Sequence, residues 1–169
     1  MPSINDVRAA QNPQKAFEWN FRINGSSAGG NLPVLDKRVE TVTLPQKSVE
    51  TIEINYKGRK TFHSGRDASG HTFAVTFWDT EGGEVYRFFN DWIENGISNS
   101  VVGGGTTRDQ YAAESIIEML AADSETVVES HTMTNVFPTE IADISLSYEA
   151  SEIKKVEVTF SFDSQLMAD

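Results

Sequence analysis

The sequence predicts a mainly β fold: an antiparallel β-sandwich or barrel of about eight strands with one flanking amphipathic α-helix. Three observations carry this. Apolar and polar residues alternate with period two through most of the chain, the pattern of half-buried strands. The period changes to 3.6 at a single place, between residues 84 and 95. The strand-like segments fall as four, a helix, then four, without the strand–helix alternation of a parallel sheet, so antiparallel layers with the helix on one side or edge are expected.

The elements follow in order. In "FEWNFRI", Phe17, Trp19, Phe21 and Ile23 alternate with Glu18, Asn20 and Arg22, and "NGSSAGGNLP" then breaks the strand. "RVETVTLP" reads as a second strand ended by Pro45. "VETIEINYKG" reads as a third, with Ile52, Ile54 and Tyr56 on one face, and Gly58 opens a basic loop. "GHTFAVTFWD" is a fourth, with Phe73, Val75 and Phe77 inward. Residues 111–122 fit a helix by propensity and a strand by neighbourhood. Because Asp123-Ser124 is a turn signal and residues 126–136 are rich in Thr and Val, a hairpin is expected. "IADISLSYE", with Ile144, Leu146 and Tyr148 on one face, and "IKKVEVTFSF", with Val156, Val158, Phe160 and Phe162, read as the closing strand pair, separated at Ala150-Ser151.

The stretch "TFWDTEGGEVYRFFNDWIEN" brings together Asp79, Glu81, Glu84, Asp91 and Glu94. Val85, Phe88, Phe89, Trp92 and Ile93 fall at i, i+3, i+4, i+7 and i+8, which makes one apolar helix face for packing. The acids then have a simple assignment. Asp79, Glu81 and Glu84 sit at the positive end of the helix dipole, Asp91 and Glu94 point to water, and Gly96 is placed to end the helix. No inward-facing carboxylate set with a histidine is visible, so no metal site is expected.

Composition narrows the function. The chain has no cysteine, which excludes disulfides, thiolate metal sites and a cysteine nucleophile. No apolar run is long enough for a secretory leader or a membrane span, so no membrane insertion is expected. His63, His71 and His131 show no ligand spacing and read as surface or edge residues, and no nucleophile elbow or phosphate loop is present. No catalytic residue and no cofactor are expected. The net charge of −11 disfavours a protein that grips nucleic acid. Its distribution is uneven: residues 1–70 carry a net +3 and residues 71–169 a net −14. One reading is solubility; another is a protomer that stacks on its copies, basic end against acidic end. Most of the available positive charge lies in "YKGRKTFHSGR", around Lys57, Arg59, Lys60 and Arg66.

Several segments together resemble the tail tube proteins of contractile-tailed, myovirus-type bacteriophages. The resemblance rests on "FEWNFRI", "VETVTLP", "FAVTFWDTEG" running directly into the helix "VYRFFNDWIE", and "VFPTEIADISLSYEASEIKKVEVTFSFD" near the end, and it covers most of residues 16–163. It departs from the family at the glycines around 103–105 and in the N-terminal fifteen residues. The resemblance implies a single tail-tube domain over residues 1–169, with a core at 16–163, an N-terminal arm at 1–15 and a flexible glycine-rich loop at 98–110. It implies hexameric rings stacked head to tail into a hollow tube of the virion tail, assembled in the host bacterial cytoplasm. Implied partners are further copies of the chain and the sheath, baseplate, tape-measure and tail-terminator proteins, with DNA passing through the lumen without specific binding.

Within that frame, Tyr56, Lys57, Arg59, Lys60 and Arg66 are expected at the ring-stacking interface. Glu118, Glu129 and Glu157 are candidates for acids that line the bore. A related tube of a bacterial secretion or extracellular contractile injection system is the alternative. A monomeric ligand-binding β-barrel is the alternative of a different class.

Overall fold

The computed structural model describes residues 14–25, 35–98, 106–149 and 152–168. Most of the expected N-terminal arm, the Gly/Ser-rich break at 26–34, the glycines of the 98–110 loop and the Ala150-Ser151 break lie outside the described residues. The order is β1 (Trp19–Asn24), β2 (Val39–Val42), β3 (Val49–Tyr56), β4 (Arg59–Asp67), β5 (Thr72–Trp78), α1 (Glu84–Asp91), a π-helical turn (Trp92–Ser98), α2 (Arg108–Tyr111), β6 (Ala113–Leu120), β7 (Val127–Ile141), β8 (Lys155–Ser161) and β9 (Ser164–Ala168).

All strand pairs are antiparallel and, apart from the separate β3–β4 hairpin, form two layers. Sheet A runs β1-β6-β7-β9, and sheet B runs β7-β8-β5-β2. Strand β7 belongs to both, and it changes sheets where its ladder is weakest. Asn135 has φ 56° and the register with β8 shifts between Pro138 and Glu140. A left-handed residue and a proline without an N–H bend the strand at that point. The corner is tied by Asn135 Nδ2 donating to Asp163 Oδ2 at 3.1 Å, and Arg108 pairs with the same carboxylate. The ends of the strand order, β1 and β2, do not pair with each other. The fold is therefore a sandwich and not a closed barrel.

Period-two alternation fills the interior as expected. Phe21 of β1 meets Phe73 and Phe77 of β5 edge-on, at 6.5 and 6.3 Å between ring centroids. Helix α1 adds Val85, Phe89 and Trp92, all buried, with Phe88 and Ile93 half-buried beside them. Phe89 lies 5.1 Å from Phe77 and 5.7 Å from Phe160. Each such ring removed from water contributes on the order of 1.5–3 kcal/mol. These aromatic residues occupy the centre where a lipocalin-like barrel would keep its cavity. Asp79 opens the helix: its Oδ1 accepts from Thr80 N at 2.9 Å and Val85 N at 3.1 Å, and Lys154 Nζ reaches its Oδ2 at 2.9 Å.

The β6–β7 hairpin is present, and Asp123 Oδ1 accepts from Glu125 N and Thr126 N across its loop. Five expectations are corrected. Residues 59–67 are a strand, not a basic loop. Lys57 (φ 45°) and Gly58 (φ 77°) form a two-residue turn with both residues left-handed, the geometry that continues the strand twist, so β3 and β4 make one long hairpin.

Residues 142–149 are not a strand despite their alternation. Ala142 N still bonds Glu157 O at 2.9 Å, but the β7–β8 ladder stops at Ile141–Val158, and beyond it Leu146 and Tyr148 stand exposed rather than on a core face. Gly96 does not end the helix. The chain continues through it in a π-helical turn, where a Cβ would come within 3.1 Å of the Trp92 ring. Finally, Ser164–Ala168 form an additional strand, and His131 is buried rather than at the surface.

Candidate assembly surfaces

The hairpin β3–β4 stands apart from both sheets, and every residue in it is exposed except Gly65, which is partly covered. Gly65 sits at a bulge where a Cβ would come within 3.0 Å of Glu50, so a small residue lets the strands close up. Eight residues of extended chain reach roughly 26 Å. Register puts Ile52, Ile54 and Tyr56 on one face with His63, Thr61 and Arg59 opposite them, and Phe62 on the other face with Glu53. Tyr56 is 68 % exposed and Phe62 62 %. A two-stranded ribbon with bare apolar residues on both faces is not self-sufficient in water, and calls for a covering surface.

The expected stacking residues converge here, with differences among them. Tyr56 and Lys57 form the tip, with Lys57 Nζ 5.2 Å from the Tyr56 ring. Arg59 lies on the Ile52–Ile54–Tyr56 face. Lys60 points to the other face and is engaged by Glu53 at 2.8 Å, a contact that, with Asn55, holds the Glu53 carboxyl below its ordinary value. Arg66 lies at the base, beside the bulge. The apolar face of β3 was legible as alternation, but not its exposure.

The three candidate bore acids do not share a surface. Glu118 projects from the outer face of sheet A, where Arg22 Nη2 pairs with it at 3.0 Å. Glu157 projects from the outer face of sheet B, opposite Thr76. Glu129 lies near the start of β7, with Oε1 2.6 Å from His131 Nε2. His131 Nδ1 is 2.9 Å from Gln165 Nε2 of β9, so this histidine joins two strands. Glu118 and Glu157 therefore face opposite ways on the protomer. Sheet A's outer face is otherwise short and polar: Asn20, Asn24, Ser130, Thr132, Thr134 and Ser164, with Glu114, Ile116 and Leu166.

Two backbone edges of sheet A, on β1 and β9, have no strand beside them among the described residues. β9 escaped sequence reading because five residues with few apolar positions carry little periodicity. Its signal was "SQLMA" following the strongest strand after one polar Asp163. Among the described residues no group of His, Asp and Glu is arranged to hold a metal ion, and no helix is long and apolar enough to cross a membrane.

Comparison with known proteins gives this geometry a family. The chain is similar in fold to a chain of the sheath-tube complex of an extracellular contractile injection system (PVC) in its extended state, with TM-score 0.64, 17 % identity and 99 % of each chain covered. It is likewise similar to a chain of that system's sheath/tube terminator, at TM-score 0.67 and 18 % identity over 94 % of this chain and 99 % of the other. A third similar chain comes from the six-fold symmetrised baseplate of the anti-feeding prophage, at TM-score 0.67 and 11 % identity over 94 % of this chain and 97 % of the other. A search of curated proteins finds no match. The sequence profile described as "Phage tail tube protein" matches residues 8–168, almost the whole chain, and the chain therefore belongs to the phage tail tube protein family.

Proposed function

We propose that the chain is the repeating subunit of the inner tube of a contractile injection system, six copies to a ring and rings stacked head to tail inside a sheath. The observation that carries this reading is the pairing of two unmatched features on one protomer: open edges on β1 and β9 of sheet A, and an exposed apolar hairpin leaving the body at one end. Edges of one sheet that meet in the next copy close a ring without leaving any backbone unpaired. Sheet A then forms the bore wall, and its short polar side chains and the Arg22–Glu118 pair face the water inside. Six-fold rings are supported by the six-fold symmetrised baseplate of the anti-feeding prophage, and sheath, baseplate and terminator partners by the assemblies from which the similar chains come.

The chain is structural and no enzyme, in keeping with its family. We place it in the extracellular contractile injection type because chains of that type are similar over nearly their whole length. A DNA-conducting tail tube of a phage virion is the second reading, favoured by the family description. Negative-stain microscopy of the purified protein tests the tube: rings or tubes with a central hole are expected, and monodisperse monomers at every concentration overturn it. Whole particles purified from the source cell separate the two types. Particles that carry protein and no nucleic acid fit the first, and particles carrying packaged DNA fit the second.

A further inference from the structure

The hairpin leaves sheet B at the end formed by the C-terminus of β2 and the N-terminus of β5. At the opposite end of that sheet, beyond Trp78 of β5 and before Lys155 of β8, lies a second exposed apolar surface. Residues 142–147 and 152–154 stand off the outer face of sheet B and leave a cleft of about 430 Å³, lined among others by Thr76, Ile144, Leu146, Ile153 and Glu157. It adjoins a cleft of about 600 Å³ between Trp78 and Ile153, flanked by Glu40, Glu152 and Lys155. Leu146 is 79 % exposed and Ile153 66 %.

Charge distinguishes the two ends. In the cleft the cations are already engaged, Lys154 with Asp79 at 2.9 Å and Lys155 with Glu40 at 2.8 Å. Asp143, Glu152 and Glu157 make no salt bridge among the described residues, so the surface is apolar with unspent negative charge. On the hairpin Lys60 is engaged by Glu53, while Lys57 and Arg59 flank the bare Tyr56 and make no salt bridge among the described residues. That end is apolar with unspent positive charge.

We infer that the cleft between residues 142–147 and 152–154 and the outer face of sheet B is the seat of a hairpin from a second copy of this chain. Tyr56 enters beside Trp78 and Ile153, and Lys57 and Arg59 meet Glu152 and Glu157. This deepens the tube reading and rests on it. The two surfaces lie at opposite ends of one sheet, so neither serves its own partner within a protomer, and the contact is heterologous and open-ended. It also accounts for the uneven charge of the two parts of the sequence.

The cysteine-free chain allows a direct test. A double variant, Tyr56→Cys with Ile153→Cys, is assembled and oxidised, then run on a non-reducing gel. A ladder of dimers, trimers and higher species is expected, with each single variant stopping at dimer or below. Should tubes be visible while the ladder is missing, the cleft assignment falls and the tube reading stands. If neither tubes nor ladder form, both fall together. A second pair of variants avoids dependence on cysteine placement. Glu152→Lys/Glu157→Lys and Lys57→Glu/Arg59→Glu should each raise the critical concentration for tube growth by about tenfold or more, and the four changes combined should restore it. Unchanged growth of the Glu152→Lys/Glu157→Lys variant, with its circular dichroism like that of wild type, assigns the cleft to another protein and overturns the inference.

Discussion

Asp79, expected from the sequence at the positive end of the helix dipole, ties the start of the helix to the segment before β8. Burial pushes its carboxyl up, but the Lys154 ammonium and the N–H groups of Val85 and Thr80 outweigh this, and the net shift is below the ordinary 3.8. A lowered folded-state value means the carboxylate contributes stability above that ordinary value, and the contribution is lost as pH falls through the lower one. Asp79→Asn keeps an acceptor for Val85 N and has no charge to lose, so its urea midpoint should show a smaller acid step than wild type. Asp79→Ala strands a buried N–H and should cost about 1–3 kcal/mol at neutral pH. The aromatic residues divide the same way by environment. Phe89→Ala empties the centre of the core and should cost roughly 3–5 kcal/mol in urea unfolding. Phe62→Ala, on the exposed hairpin, should leave the unfolding midpoint within roughly 0.5 kcal/mol of wild type. Sequence spacing placed Phe89 inward because a 3.6-residue stripe has one sensible face. It could not place Phe62, since a residue between Thr61 and His63 reads the same whether its neighbour is water or another protomer.

At the scale of elements, sequence was most legible where burial imposes periodicity. Strands β1, β5 and β8, the helix α1 and the β6–β7 hairpin all carry the alternation or stripe that a one-sided core requires. Legibility failed where a partner other than the core decides the outcome. Strand β4, "RKTFHSGRD", has no buried face and so no alternation, and only the Lys57-Gly58 turn betrays it. Residues 142–149 have the alternation, yet they leave the β7–β8 ladder after Ala142 and put Leu146 and Tyr148 into water instead of against the core. Because β3–β4 pairs only with itself, replacing residues 49–67 by a short turn should leave the thermal unfolding of the remainder close to wild type while abolishing tubes in the microscope. Loss of cooperative unfolding in that variant would show that the hairpin stabilises the protomer itself.

For the whole molecule, the arrangement is polar in the geometric sense: one end extends a basic apolar ribbon, the other carries an acidic apolar cleft, and the sides expose the edges of sheet A. The candidate site was legible in part. The basic residues around Gly58 marked the right segment, but that they lie on a strand pair, and that their counterpart is the region around Ile153, required the topology. Of the candidate bore acids, Glu118 faces the same way as the polar surface of sheet A, and Glu157 sits in the cleft instead. An interface built partly on opposite charges weakens with salt, because screening shortens from about 8 Å at physiological ionic strength to about 3 Å at 1 M. Tubes should therefore shorten as salt rises, read by dynamic light scattering. Helical reconstruction of the assembled tube by cryo-electron microscopy is the decisive measurement. It should show β9 of one protomer beside β1 of the next, Asn20, Thr132 and Glu118 facing the hole, and every ring pointing the same way. A bore lined by Trp78 and Glu157, or rings meeting face to face about a two-fold axis, would contradict it.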